Sequence, residues 1–171
     1  QKHYKYVLSV NKNDPAILVE LANTYSLTGD FKTAIKYIND ALRIDEEYRD
    51  AYVLKGSIYK TTGKMDLALS SYQTAVQLDP DYFIGHLQIG WLLTKMENHK
   101  LALEYYENAA ELKPGNLNAA YGIAKSLQDM EKFDEALKGY RKLLDIDSSA
   151  YVAYFNLKIE KQMLQGHFLK R

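Results

Sequence analysis

In RDAYVLKGSIYKTTGKMDLALSSYQTAVQLDPDY, residues 49–82, small and large residues alternate in a pattern that returns along the chain every 34 positions. Its central alanine, Ala68, has in-phase counterparts in Ala34, Ala102 and Ala136. Seven residues after these come Ala41, Ala75, Ala109 and Leu143, and four after them Ile38, Tyr72, Tyr106 and Tyr140. Twelve before them stand Ala22, Gly56, Gly90 and Ala124, where a close backbone approach is expected. Nine before them stand Tyr25, Tyr59, Leu93 and Leu127. A small residue that keeps returning in phase marks one packing contact made repeatedly, which is the signature of stacked helix-turn-helix units. Small phases facing bulky ones are what two interdigitating helices require.

The phased set resembles the tetratricopeptide repeat (TPR), a helix-turn-helix unit of the same length. The match runs through Leu18, Leu21, Ala22, Tyr25, Gly29, Ala34, Ala41 and Ile44, and again through Tyr52, Gly56, Tyr59, Gly63, Ala68, Tyr72, Ala75 and Pro80. It continues in His86, Gly90, Ala102, Tyr106, Ala109 and Pro114, then in Ile123, Ala124, Phe133, Ala136, Tyr140 and Ile146. The resemblance implies an all-α fold, a right-handed α-solenoid of tandem TPR helix-turn-helix hairpins. Full units are expected at 14–48, 49–82, 83–116 and 117–150. Residues 1–13 carry the phases of the second helix of a truncated preceding repeat (Tyr4, Val7, Leu8, Val10). Residues 151–171 carry those of the first helix of a further repeat, or of a capping helix. Two departures stand out. The glycine expected between paired helices is present as Gly29 and Gly63 but is replaced by Glu97 and Glu131, so those turns should be strained or differently wound. Lys55 takes a usual core leucine position, with Leu54 beside it.

Length and composition point to one continuous array rather than separate globular domains. Pro15, Pro80 and Pro114 all fall between units, where a helix can begin but not pass through. Asp14 reads as an N-cap followed by proline at the first helical position. Lys plus Arg equals Asp plus Glu at 22 each, so no long-range field favours polyanions or acidic membranes. No apolar run approaches the ~20 residues needed to span a bilayer, and direct membrane insertion is not expected. The absence of cysteine removes disulfide and thiolate chemistry and fits a reducing compartment; the expected location is cytoplasmic.

A first helix that buries its fourth, seventh, eighth and eleventh positions turns its second, fifth, ninth and twelfth elsewhere. In proteins similar to this one that second face lines a concave groove. Its fifth positions are Val19, Val53, Leu87, Tyr121 and Phe155, and its ninth are Asn23, Ser57, Trp91, Lys125 and Ile159. An apolar row on a face turned to water marks an interaction surface, and tryptophan is a frequent interface anchor. Val19 and Val53 are equally consistent with partial cover by neighbouring helices. Around the row stand charges of both signs, Glu20, Asp50, Lys60, Lys95, Lys125 and Asp129. Two known ligand modes of the family are not matched. The carboxylate clamp for chaperone tails keeps only Asn23, its other positions being Val19, Leu54, Ile84 and Gln88, and the asparagine ladder falls on Glu20, Leu54, Gln88, Gly122 and Asn156.

Catalytic chemistry is not indicated. His3, His86, His99 and His167 lack metal-ligand spacing, and His86 and His99 stand at packing phases. Ser70-Ser71 and Ser148-Ser149 have no base in a plausible arrangement, and no glycine-rich phosphate loop or basic face for nucleic acid occurs. No cofactor or metal is expected. The reading is therefore a non-enzymatic scaffold that holds an extended peptide or amphipathic helix in an apolar, aromatic groove. Alternatives are self-assembly, with a homo-oligomer formed through the terminal helices, or service as the recruiting arm of a larger protein or enzyme.

Overall fold

The computed structural model describes residues 14–144, together with Tyr154, Asn156, Leu157, Lys158 and Lys161. Residues 1–13, Phe155, Ile159 and most of 145–171 lie outside the described residues, and with them the expected partial repeats at both ends. Residues 14–144 form eight consecutive helices: α1 (Pro15–Leu27), α2 (Phe31–Ile44), α3 (Arg49–Thr61), α4 (Met65–Leu78), α5 (Phe83–Lys95), α6 (His99–Leu112), α7 (Leu117–Asp129) and α8 (Phe133–Leu144). The chain divides into two compact units, Gln1–Gly85 and His86–Arg171.

Short polar side chains start α1, α2, α6 and α7 by satisfying amides that have no partner inside the helix. Asp14 Oδ1 accepts from the Ala16 amide at 2.9 Å, ahead of Pro15. Asp30 accepts from the Thr33 amide at 3.1 Å, and hydrogen bonding with Thr33 holds its carboxyl below the ordinary range. Asn116 caps α7 through the Ala119 amide at 3.0 Å. Asn98 caps α6 through Leu101 at 3.4 Å.

The four turns inside the hairpins are closed in one way. Gly29 and Gly63 take φ of 81° and 74°, and Glu97 and Glu131 both take 60°. In the first, the Gly29 amide donates to Ser26 O at 3.0 Å and the Asp30 amide to Tyr25 O at 3.0 Å. The same pair recurs with Glu97 to Thr94 (3.1 Å) and Asn98 to Leu93 (2.9 Å), and with Glu131 to Gln128 and Lys132 to Leu127 (both 2.9 Å). The winding is thus conserved and the departure is one of strain: two glutamates are held in a left-handed conformation that disfavours a β-carbon. At Gly29 and Gly63 no heavy atom stands within 4 Å of where a β-carbon would lie, so the demand for glycine there is purely conformational. Glu97→Gly and Glu131→Gly are each expected to stabilise the protein by about 1 kcal/mol. That corresponds to a rise in melting temperature of about 2–4 °C per substitution in a thermal scan. Unchanged or lowered melting would contradict it.

In the first unit α1 packs on α2, α3 on α4, and α3 also contacts α1 and α2. The core there is Leu18, Ala22, Ala34, Ile38, Ala41, Ala51 and Ile58, with Val19 included. Lys55, at the position held by buried Leu21 and Ile89 in other units, stays half-buried; its ammonium lies 3.4 Å from Asn39 Oδ1, while Leu54 packs on the core. The close approaches expected at the small phases are present. A β-carbon at Gly56 would stand 3.0 Å from the Tyr72 ring.

In the second unit α7 packs against both α6 and α8, and the Tyr106 ring lies against two glycines. A β-carbon would fall 2.9 Å from it at Gly90 in α5, and 2.5 Å at Gly122 in α7. Around α8 the core comprises Ala124, Leu127, Ala136, Tyr140, Leu143 and Leu157. Burial drives the Tyr140 phenol far above its ordinary value, reinforced by Tyr121 and Asp129.

Candidate functional site

Helix α1 turns Ala16, Val19, Glu20 and Asn23 toward a cleft of about 300 Å³. The opposite wall comes from α3 and the residue before it: Tyr48, Asp50, Val53, Leu54 and Ser57. Both walls derive from the same phases of successive first helices, since residues three and four apart share a helix face. The four groove candidates of this unit, Val19, Asn23, Val53 and Ser57, are therefore brought to one site. Val19 is only 8% exposed and belongs to the core as much as to the cleft. Asn23, Val53 and Ser57 are half-buried.

The cleft has an apolar floor and an acidic rim. Glu20 and Asp50 are exposed, one on each wall. Asp50 Oδ1 accepts from Arg49 at 2.7 Å (Nη2) and 2.9 Å (Nε). The other arm of Arg49 reaches Asp79 at 2.5 Å, and its guanidinium lies 4.7 Å above the Tyr82 ring. Hydrogen bonds to Asp50 and Asp79 raise the Arg49 pKa further. The Tyr48 phenol is pushed up first by burial and then by Asp50, Asp14, Glu20 and Asp45. Burial raises the Tyr72 phenol to about 12, although a hydrogen bond with Ser57 pulls the other way.

In the second unit Leu87 is half-buried, while Trp91 is 38% and Tyr121 is 47% exposed. The Lys95 ammonium sits 5.6 Å from the centre of the Trp91 ring. Tyr121 meets Tyr140 edge-on with ring centres 5.8 Å apart. Lys125 is paired with Asp129, whose other oxygen lies 3.6 Å from His99 Nδ1. Phe155 and Ile159 lie outside the described residues. His86 is buried, with its ring centre 5.8 Å from that of Tyr105.

Sequence reasoning did not single out Tyr48 and Leu54 as cleft residues. Tyr48 was hidden because it precedes α3 as an N-cap with no side-chain capping bond, outside any helical face. Leu54 was visible as the neighbour of Lys55 and as an occupant of positions where similar proteins carry a polar clamp or ladder.

Tetratricopeptide repeat models match residues 15–48 and 50–82, and a second tetratricopeptide repeat model matches 93–158. No curated protein sequence matches the chain. Among solved structures, YrrB, a TPR protein with an unusual peptide-binding site, superimposes with a TM-score of 0.83 at 23% identity, covering 93% of this chain and 84% of its own. A MamA structure gives 0.74 at 28% identity, covering 84% and 79%. MamA from Desulfovibrio magneticus RS-1, from residue 41 to its end, gives 0.80 at 18% identity, covering 91% and 92%. Repeat matches over most of the chain, one turn geometry used four times and these superpositions agree: the chain is all-α and belongs to the tetratricopeptide repeat family.

Proposed function

We propose that the chain is a non-enzymatic protein-binding scaffold whose ligand, an extended peptide or an amphipathic helix, lies against the fifth and ninth positions of its first helices. The observation that carries this reading is the exposure of Trp91 and Tyr121 on α5 and α7, at the same phases that line the α1–α3 cleft. Aromatic surface left in water supplies affinity when covered, less the entropy of ordering a flexible ligand. No helix among the described residues is long and apolar enough to cross a membrane.

Trp91 is the only tryptophan, so its emission reports on this face alone. Peptides selected on the full chain from a random library are expected to shift that emission to the blue on titration. Saturable binding with no change in emission from any selected peptide would remove the α5–α7 face from the site.

A further inference from the structure

The cleft between α1 and α3 is more specific than an apolar groove. Its lining carries two carboxylates and, among the described residues, no cation. The two carboxylates stand on opposite walls and are exposed, while Val19, Val53 and Leu54 supply more deeply buried apolar lining. Glu20 has no cationic partner among the described residues. Arg49, which could neutralise the rim, is turned to Asp50 and Asp79 and stacked over Tyr82, occupying only Oδ1 of Asp50. The surrounding charge points the same way. Over residues 14–85 the sequence carries eleven carboxylates and seven lysines or arginines, although the whole chain is neutral. Four of those carboxylates act on the Tyr48 phenol at the edge of the cleft.

We propose that this cleft takes a lysine or arginine side chain of an extended peptide, with the cationic head between Glu20 and Asp50 and the methylene stem on Val19, Val53 and Leu54. This rests on the reading of the chain as a peptide-binding scaffold and names the chemistry one subsite selects. A long cationic side chain is the occupant that satisfies both features at once, because it covers apolar floor with its stem while its head stays wet at the rim. An anionic side chain would meet like charge at Glu20, and a purely apolar one would strip water from the rim carboxylates without replacing it. Asn23, on the α1 wall, is the polar side chain available to the ligand backbone, since the Ser57 hydroxyl on the α3 wall is engaged with Tyr72.

The test is selection of peptides from a library randomised at ten positions on the full chain at low salt, followed by affinity measurement. Selected peptides are expected to carry lysine or arginine at one fixed position. Their binding should weaken roughly fivefold to tenfold with Glu20→Gln/Asp50→Asn, and less as salt is raised. Replacing that peptide lysine by norleucine should weaken binding to the native protein but add nothing to the loss in the double variant. Glu20→Gln alone should show part of the loss, and its circular dichroism should be native because Glu20 is exposed and carries no ion pair among the described residues. Selected peptides that lack the cation, or that bind the double variant as well as the native chain, would overturn the subsite while leaving the scaffold intact. Failure to select any peptide would overturn both.

Discussion

Tyr106→Ala is expected to remove about 3–5 kcal/mol of folding free energy, the range for deleting a buried aromatic ring. Tyr106 is 7% exposed, and burial lifts its phenol above the ordinary value even though a hydrogen bond with Thr94, at 3.5 Å, works against it. Its ring occupies a slot whose two walls are glycine backbone, Gly90 on one helix and Gly122 on another. Both walls are defined by the absence of a β-carbon, so collapse around the cavity would require moving helix backbone rather than side chains. The same slot predicts the reverse experiment. Gly122→Ala places a methyl group 2.5 Å from the ring carbons and should cost about 1–3 kcal/mol by overpacking, although alanine is the better helix former. Because the three heavy atoms nearest to that methyl group all belong to Tyr106, Gly122→Ala should cost less once Tyr106 has been replaced by alanine. Urea denaturation of the two single variants and the double variant measures that coupling. Equal costs in both backgrounds would mean that the slot is not what holds the ring.

Gly122 also shows where reading the sequence reached its limit. The repeat period, the capping aspartates and the pairing of small with large phases follow from residues near in sequence or locked to one spacing, and they were legible. Helical geometry alone puts Val19 with Asn23 on one face and Val53 with Ser57 on another; that such faces line one groove was what the resemblance to the repeat family implied. Gly122 stood out only as a missing asparagine, because its partner Tyr106 lies on another helix and the contact depends on how closely the helices approach. Glu97 and Glu131 pose a related problem. A local rule forbids them a left-handed turn, but packing of the paired helices over-determines the turn and leaves strain as the residue of the conflict. Val19 was open between groove and core for lack of any measure of how much cover α3 gives, and the fold answers with a side chain that serves both.

Trp91→Ala is expected to weaken binding of a selected peptide by at least about 2 kcal/mol, roughly thirtyfold in Kd, while changing folding stability by about 1 kcal/mol or less. The asymmetry follows from exposure. A core aromatic contributes to folding through the surface it has already removed from water, whereas Trp91 keeps 38% of its surface in solvent, and that surface is gained only when a ligand covers it. Tyr140, fully buried in the same unit, is the contrasting case in which truncation should unfold before it affects binding. Lys95 over the Trp91 ring contributes only about 0.5–1 kcal/mol at an exposed site. Calorimetric titration of the peptide and urea denaturation of the free variant separate the two quantities. A loss of several kcal/mol in folding with native affinity in the surviving fraction would make Trp91 a core residue. Loss of affinity with native stability is the outcome that only a surface awaiting a partner can produce.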